Sequence, residues 1–116
     1  MKFLIVDNDA GIRRLMASVL APLAPEIVEC ADGADALAAY EAHHPDVVLM
    51  DIAMQRLDGI AATAAITAVH PAARVLIVTN YDDTDLREAA SVAGACGYVL
   101  KENLLQIPPL LERLTR

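Results

Sequence analysis

Aromatic residues and positive charge are both scarce in this sequence. Aromatic residues make up 3% of its 116 residues and tryptophan is absent, so there are few platforms on which bases or flavins stack. Nine Lys and Arg residues stand against sixteen Asp and Glu residues, which gives a formal net charge of -7. Because an acidic chain repels a phosphate backbone, we expect no direct nucleic-acid binding by this chain.

Closely spaced cysteines and apolar runs of membrane-spanning length are missing as well. Cys30 and Cys96 are far apart in the sequence, so they lack the spacing of a zinc site. We interpret both as small buried residues in a reducing compartment. The longest apolar runs have only the length of a strand, and no signal peptide is evident. We therefore expect no membrane association and a cytoplasmic protein.

Apolar runs of strand length alternate with helical patterns along the chain. The hydrophobic fraction is 56%, which is above the usual value of about 45–50%. The runs predict five strands at residues 3–6, 26–30, 47–50, 75–78 and 98–100. Because the runs are continuously apolar, they indicate a parallel sheet that is covered on both faces. Right-handed crossovers then produce one α/β domain over residues 1–116, with an open, doubly wound sheet.

A helical pattern follows each predicted strand, and the last helix is the least regular. Asn103 and Gln106 have the spacing of a capping box, but Pro108 and Pro109 would break a helix that is already under way. We predict a helix whose first turn contains Pro108, preceded by an irregular turn. On the first helix, Arg13 and Arg14 are expected on the solvated face, with docking of a kinase as the alternative role.

Polar side chains stand at the carboxyl ends of four predicted strands, namely Asp7, Asp51, Thr79 and Lys101. In a parallel sheet these ends share one edge, and open α/β sheets bind ligands there. Clustered oxygen atoms without His or Cys suit Mg²⁺, which usually binds one or two carboxylates and keeps several waters. Phosphoryl transfer needs such a metal and further positive charge around an acceptor. Asp51 is thus a candidate acceptor that forms an aspartyl phosphate.

Four segments resemble the receiver domains of two-component response regulators, in the order and spacing of that family. They are LIVDNDAGIRRLM after the first strand, VVLMDIAMQRLDG around Asp51, VLIVTNYDD around Thr79, and GACGYVLKEN around Tyr98 and Lys101. The chain is therefore similar to the CheY-like superfamily over essentially its whole length. The YDD run and GYVLKEN resemble most the receivers of LuxR/NarL-type regulators.

The resemblance implies a flavodoxin-like or CheY-like (βα)5 fold with a five-stranded parallel sheet in the order 2-1-3-4-5. It also implies that Asp51 accepts a phosphoryl group from a histidine kinase or a histidine phosphotransfer protein, with Mg²⁺ as cofactor. The implied metal ligands are Asp7, Asn8, Asp51 and the backbone carbonyl of Ala53. The implied phosphoryl-binding and switch residues are Thr79, Lys101 and Tyr98. The residues implied to tune the lifetime of the phosphate are Ala53 and Tyr81.

The resemblance further implies a switch, and not an enzyme that acts on a separate substrate. Phosphorylation would alter the face formed by the fourth helix, the fifth strand and the fifth helix, which would bind an output protein or a homodimer mate. Receivers of LuxR-type regulators usually precede a helix-turn-helix domain, and this sequence contains none. A stand-alone receiver and an excised receiver both fit this pattern.

Four positions depart from the family pattern. Asn8 stands where an acid usually binds Mg²⁺ directly, so we predict weakened Mg²⁺ binding, and the neighbouring Asp9 is better suited to cap the first helix. Gln55 and Asn80 replace a proline and a small residue. Glu102 replaces the proline that usually follows the essential lysine, so we do not expect a cis peptide bond there.

These departures keep two other functions open. The first is a degenerate pseudo-receiver, which would bind its partners without phosphorylation. The second is an enzyme or flavoprotein on a flavodoxin-like fold, which would need a phosphate-cradling loop after the first strand. The stretch at residues 7–11 is acidic instead, and an acidic loop repels phosphate unless a metal intervenes.

Overall fold

Five parallel strands form one sheet in the order β2-β1-β3-β4-β5. The computed structural model describes residues 1–23 and 25–114. The strands are β1 (Lys2–Val6), β2 (Glu26–Cys30), β3 (Val47–Met50), β4 (Val75–Thr79) and β5 (Gly97–Leu100). Every neighbouring pair in the sheet is parallel. This confirms the predicted doubly wound fold and its strand order.

Five α-helices within the described residues connect and cover the strands. They are α1 (Ala10–Leu20), α2 (Ala36–His43), α3 (Gly59–Val69), α4 (Thr84–Val92) and α5 (Ile107–Leu114). Carboxylates cap the start of several helices, as at α1, where Asp9 Oδ1 accepts hydrogen bonds from the N–H groups of Gly11 and Ile12. No helix in the described ranges is long and apolar enough to cross a membrane.

Alternate residues of the central strands face opposite sides of the sheet, which explains why the strands are apolar throughout. On one side, Phe3, Ile5 and Leu49 pack against α1 and α5. On the other side, Leu4 and Val48 pack against α2, α3 and α4. All five side chains are fully buried. The strand ends are therefore held by two packed layers and have little freedom to move.

The last helix begins as predicted. Residues Lys101–Gln106 form a 3₁₀ turn in which Asn103 has non-helical dihedral angles, and α5 starts at Ile107. Pro108 and Pro109 lie in the first turn of α5, where their missing N–H groups cost no helical hydrogen bond. The described residues contain no hydrogen bond between Asn103 and Gln106, so the capping box is not formed.

The interpretation of both cysteines as buried residues was wrong. Cys30 is half-buried and Cys96 is exposed. Cys30 ends β2 and Cys96 precedes β5, and these are the two edge strands of the sheet. An edge strand is covered less completely than a central strand, so apolar character alone did not predict full burial at these positions.

Candidate functional site

Asp7 and Asp51 lie side by side at the carboxyl edge of the sheet. Val6 and Met50 are paired in neighbouring strands, so the residues that follow them leave the sheet together. The Asp51 N–H donates to the Val6 carbonyl at 2.9 Å. Asp7 is fully buried and Asp51 is 4% exposed. The strand order reverses here, because the chain continues from β1 to β2 on one side and reaches β3 on the other.

Lys101 places its ammonium between these two carboxylates. It follows β5, whose last residue pairs with Thr79. Its Nζ lies 2.9 Å from Asp7 Oδ2 and 3.3 Å from Asp51 Oδ1, and its side chain is only 11% exposed. The peptide bond to Glu102 is trans, as expected without proline. The lysine therefore reaches the site although the family's proline is missing.

The pKa values of Asp51 and Lys101 are both shifted by their surroundings. Burial raises the pKa of Asp51 above its ordinary value, and the nearby Asp7 carboxylate raises it further, while Lys101 opposes both effects. Burial lowers the pKa of Lys101, but its hydrogen bonds and charge interactions with Asp7 and Asp51 outweigh burial and raise it. Lys101 thus stays charged at neutral pH. Two buried carboxylates share one ammonium, so the site is short of positive charge.

The carboxylate oxygens have unequal numbers of partners. Asp51 Oδ1 accepts a hydrogen bond from the Ile52 N–H at 2.9 Å and also faces Lys101. Among the described residues, nothing donates a hydrogen bond to Asp51 Oδ2. Asp7 Oδ1 accepts from the Asp9 N–H, whereas the buried Asp7 Oδ2 has the Lys101 ammonium as its one partner in that part of the chain. The site therefore keeps oxygen atoms available for a cation or for chemistry.

A hard divalent cation fits this donor set. Two buried carboxylates with a single ammonium leave an excess of negative charge, and oxygen ligands are those that Mg²⁺ prefers. This donor set nevertheless contains two acidic side chains and not three. Across residues 1–23 and 25–114, no three His, Cys, Asp or Glu side chains are grouped to hold a metal. Asn8 is exposed, and Asp9 is occupied as the cap of α1.

Thr79 connects this edge to α4 and β5 through a chain of contacts. Its hydroxyl is fully buried and accepts a hydrogen bond from the Tyr81 N–H at 3.2 Å. The Tyr98 hydroxyl donates to the Tyr81 carbonyl at 2.6 Å. The guanidinium of Arg87 lies over the Tyr98 ring, 4.4 Å from its centroid, and donates to Asp82. Tyr81 thus links the predicted switch hydroxyl to the predicted switch aromatic.

The segment after Asp51 is irregular and partly exposed. Ala53, two residues after Asp51, is exposed, and Tyr81 is 51% exposed on the neighbouring loop. The Gly59 N–H donates to the Ile52 carbonyl. A Cβ atom at Gly59 would lie 1.7 Å from the Asp51 carbonyl oxygen. Glycine is therefore required at the point where α3 begins against the backbone of Asp51.

A family model described as the response regulator receiver domain matches residues 3–113. The chain belongs to the response regulator receiver domain family. The receiver is similar to the transcriptional regulatory protein PdtaR of Mycobacterium tuberculosis, with 39% identity over 101 residues. That match covers 86% of this chain and 49% of PdtaR. The chain spans about half or less of the length of several curated relatives that it matches.

Solved structures of other receivers have the same fold. A LuxR-family DNA-binding response regulator from Staphylococcus aureus is 26% identical, with a TM-score of 0.90, and the match covers 99% of this receiver and 98% of that chain. The CheY of a CheX–CheY–BeF3–Mg complex from Borrelia burgdorferi is 25% identical, with a TM-score of 0.84 and coverage of 91% and 84%. The resemblance to the receivers of LuxR-type regulators is thereby confirmed.

The structure also brings residues into the site region that the sequence did not indicate. Arg13 was expected in solvent, but its side chain is 17% exposed and donates to the Asp7 carbonyl at 2.6 Å and to Glu29 at 2.8 Å. Asp32 accepts hydrogen bonds from the loop that follows Asp51. The contact of Arg13 with Glu29 and that of Asp32 with the loop join residues that are far apart in sequence, so no local pattern in the sequence predicts them.

Proposed function

We propose that this receiver accepts a phosphoryl group on Asp51 from a histidine kinase or a histidine phosphotransfer protein. The observation that carries the proposal is the buried trio of Asp7, Asp51 and Lys101 at the carboxyl edge of the sheet. One oxygen of Asp51 is held by Ile52 and Lys101, and the other accepts no hydrogen bond from the described residues. Asp51 thus presents a fixed nucleophile with one oxygen available.

The chemistry follows from these contacts. Asp51 Oδ2 attacks the phosphorus of a phosphohistidine, an O–P bond forms, and the P–N bond breaks with its electron pair going to the histidine nitrogen. The product is an aspartyl phosphate, an acyl phosphate. Lys101 neutralises charge on the phosphoryl oxygens, and the Thr79 hydroxyl donates a hydrogen bond to one of them. In this proposal the receiver supports its own phosphotransfer and dephosphorylation and acts on no separate substrate.

Magnesium is the proposed cofactor of this step. Asp7, Asn8, Asp51 and the backbone carbonyl of Ala53 would hold it. When bound, Mg²⁺ would neutralise charge on the transferred phosphoryl group. The Borrelia burgdorferi CheY, solved with BeF3 and Mg, supports this assignment by its similarity. Asn8 lacks the charge of a carboxylate, so we propose that Mg²⁺ binds weakly here.

The contacts of Thr79 suggest how phosphorylation would alter the surface. A phosphoryl group that draws the Thr79 hydroxyl toward itself competes with the hydrogen bond from the Tyr81 N–H. Tyr81 in turn holds the Tyr98 hydroxyl, whose ring lies under Arg87 of α4. We propose that phosphorylation changes the face of α4, β5 and α5 in this way. That face would bind an output protein or a homodimer mate, and Ala53 and Tyr81 would tune the lifetime of the phosphate.

The phosphodonor protein is proposed to dock beside Lys101. Leu15 of α1 is 49% exposed and Leu105 is 81% exposed, and both line a groove that also includes Val19 and Leu104. Lys101 lies in the same groove. A donor protein that covers these apolar side chains would bring its phosphohistidine close to Asp51.

A pseudo-receiver is the second candidate function, and Asn8 favours it. Among the described residues, no third acid is grouped with Asp7 and Asp51 to hold a metal, and Lys101 neutralises part of the site without phosphorylation. The two functions are distinguished by recording amide NMR spectra with Mg²⁺ alone and with Mg²⁺ plus phosphoramidate. A phosphorylated receiver would show new shifts at Thr79, Tyr81 and Tyr98. A pseudo-receiver would give the same spectrum under both conditions, which would refute the proposal.

A further inference from the structure

Asp32 is a buried carboxylate at the start of the turn that follows β2, and it is 6% exposed. Its Oδ1 accepts a hydrogen bond from the Ala34 N–H at 2.9 Å, within its own turn. The other two bonds come from a distant segment. The Arg56 N–H donates to Oδ2 at 2.9 Å and the Leu57 N–H donates to Oδ1 at 3.2 Å. One side chain therefore joins the β2–α2 turn to the β3–α3 loop.

The backbones of these two segments are also in direct contact. A Cβ atom added to Gly33 would lie 2.5 Å from the Leu57 carbonyl oxygen and 3.2 Å from Met54. Glycine thus lets the turn approach the loop closely enough for the Asp32 carboxylate to reach its N–H groups. The side chain of Arg56 adds an ion pair to Asp35 at 2.5 Å, but that pair is exposed and contributes little.

In the β3–α3 loop, residues 51–58, the side chains of Ile52, Met54 and Leu57 pack against the core, but the backbone forms few hydrogen bonds with other segments. The loop contains no helix or strand, and its backbone bonds to the rest of the site are the Asp51 N–H to Val6 and the Gly59 N–H to Ile52 at its two ends. In the middle of the loop, the N–H groups of Arg56 and Leu57 are bound by Asp32. A cavity of about 270 Å³ that Asp32 lines with Gln55 and Asn8 adjoins the edge of the proposed metal site.

We infer that Asp32 is a positioning residue that fixes the loop after Asp51 and so sets the geometry of the metal site. The inference rests on the proposed function, because the loop carries Ala53, whose carbonyl is a proposed Mg²⁺ ligand. Groups that orient metal ligands from behind typically change metal affinity by about 10- to 100-fold when they are removed. Asp32 has that relation to the loop although its hydrogen bonds go to Ala34, Arg56 and Leu57 and not to the proposed metal ligands.

The charge state of Asp32 agrees with this role. The backbone hydrogen bond from Ala34 and then that from Arg56 lower the pKa of Asp32 below its ordinary value. A carboxyl whose pKa is lowered in the fold adds stability above its ordinary pKa, and this stability is lost as the pH falls through the lowered pKa. Asp32 therefore stays ionised and holds the loop at neutral pH, where a receiver would bind Mg²⁺.

The test compares Asp32→Ala and Asp32→Asn with the wild type. Hydrogen exchange of the Arg56 and Leu57 amides is measured without metal, and Mg²⁺ affinity is measured separately by calorimetry. Asp32→Ala should raise exchange at both amides and weaken Mg²⁺ binding about tenfold or more. Asp32→Asn keeps one acceptor oxygen and replaces the other with a donor that faces an N–H group, so its effects should be intermediate.

Asp46→Asn is the matched control. The Asp46 carboxylate also accepts a backbone hydrogen bond, from the Lys2 N–H at 2.7 Å, but it lies at the opposite edge of the sheet. It should change neither the exchange of the loop nor Mg²⁺ affinity. Unchanged exchange in Asp32→Ala, or faster exchange with unchanged Mg²⁺ affinity, would overturn the inference. If the wild type binds no Mg²⁺, the proposed function fails, and the exchange of the loop amides alone then decides whether Asp32 fixes the loop.

Discussion

Replacing Lys101 with methionine removes the ammonium that lies between Asp7 and Asp51 and keeps most of the side-chain volume. The Nζ atom lies 2.9 Å from Asp7 Oδ2 and 3.3 Å from Asp51 Oδ1, and the side chain is 11% exposed. In Lys101→Met, two buried carboxylates face each other without a counter-charge. We therefore expect this variant to be less stable than the wild type, and we expect the loss to exceed that caused by replacing a surface lysine.

The size of the effect follows from these distances. At an effective dielectric of about 20, unit charges separated by 2.9 and 3.3 Å attract by at most about 6 and 5 kcal/mol. Desolvation of the ammonium offsets several kcal/mol of this attraction. Removing one partner of a buried ion pair typically costs about 3–5 kcal/mol. We expect Lys101→Met to lower the free energy of unfolding by about 3 kcal/mol near pH 8, a large part of a typical total of about 5–15 kcal/mol.

The loss should depend on pH in a predictable direction. Without Lys101, the already raised pKa of Asp51 rises further, so the folded variant binds a proton that the unfolded chain does not. Stability then increases as the pH falls toward about 5, and the difference from the wild type shrinks. Lys101 itself has a raised pKa, so its contribution in the wild type is complete at low pH. That contribution is lost only when the pH rises through the raised pKa, well above pH 8.

Urea unfolding followed by circular dichroism at about pH 8 and about pH 5 measures both effects. Lys2→Met is the matched control, because Lys2 is the only other lysine in the sequence. Its ion pair with Glu26 is 3.8 Å long, with the Lys2 side chain 33% exposed and the Glu26 side chain 80% exposed. That variant should lose less than about 1 kcal/mol at either pH. Equal stability of Lys101→Met and the wild type near pH 8, or a loss that does not shrink near pH 5, would refute the reasoning.

Three further predictions concern the same site. Asn8→Asp should tighten Mg²⁺ binding about tenfold, as measured by calorimetry. A carboxylate about 4 Å from a charge adds at most about 4 kcal/mol at a dielectric of about 20, and repulsion from the acids already present removes part of this gain. An unchanged Kd would contradict the prediction. Gly59→Ala should lower the free energy of unfolding in urea by about 3 kcal/mol or more, because its Cβ would lie 1.7 Å from the Asp51 carbonyl oxygen. The control variant Gly11→Ala should change this free energy by no more than about 1 kcal/mol. Asp51→Asn should raise the free energy of unfolding at neutral pH by about 1 kcal/mol or more. The pKa of Asp51 is raised in the fold, so its ionised form destabilises the protein above its ordinary pKa. A free energy of unfolding below that of the wild type would count against this account.

The layout of the site was predictable because it depends on short-range features of the sequence. Apolar runs define the strands, and parallel strands bring their carboxyl ends to one edge. The sequence therefore predicts that Asp7, Asp51, Thr79 and Lys101 lie at that edge. Helix ends also follow from local patterns, as at Pro108 in the first turn of α5. The order of the strands could not be predicted from these runs, because runs of similar character do not show which strand lies beside which. That order came from the resemblance to receivers.

The contacts that the sequence could not predict join residues from separate segments. Arg13 binds the Asp7 carbonyl and Glu29, Asp32 binds a loop that is more than twenty residues away, and Arg87 covers Tyr98. Each of these residues is polar, and polar residues on a helix or in a turn are usually solvated. Their partners are known only once the chain is folded.

The most direct test of the account is the intact mass of the protein after incubation with phosphoramidate and Mg²⁺. The account predicts one phosphoryl adduct on the wild type, none on Asp51→Asn, and one on Asp46→Asn, whose carboxylate lies at the other end of the same strand. No adduct on the wild type at saturating Mg²⁺, or an adduct that persists in Asp51→Asn, would contradict the claim that Asp51 is the phosphoacceptor.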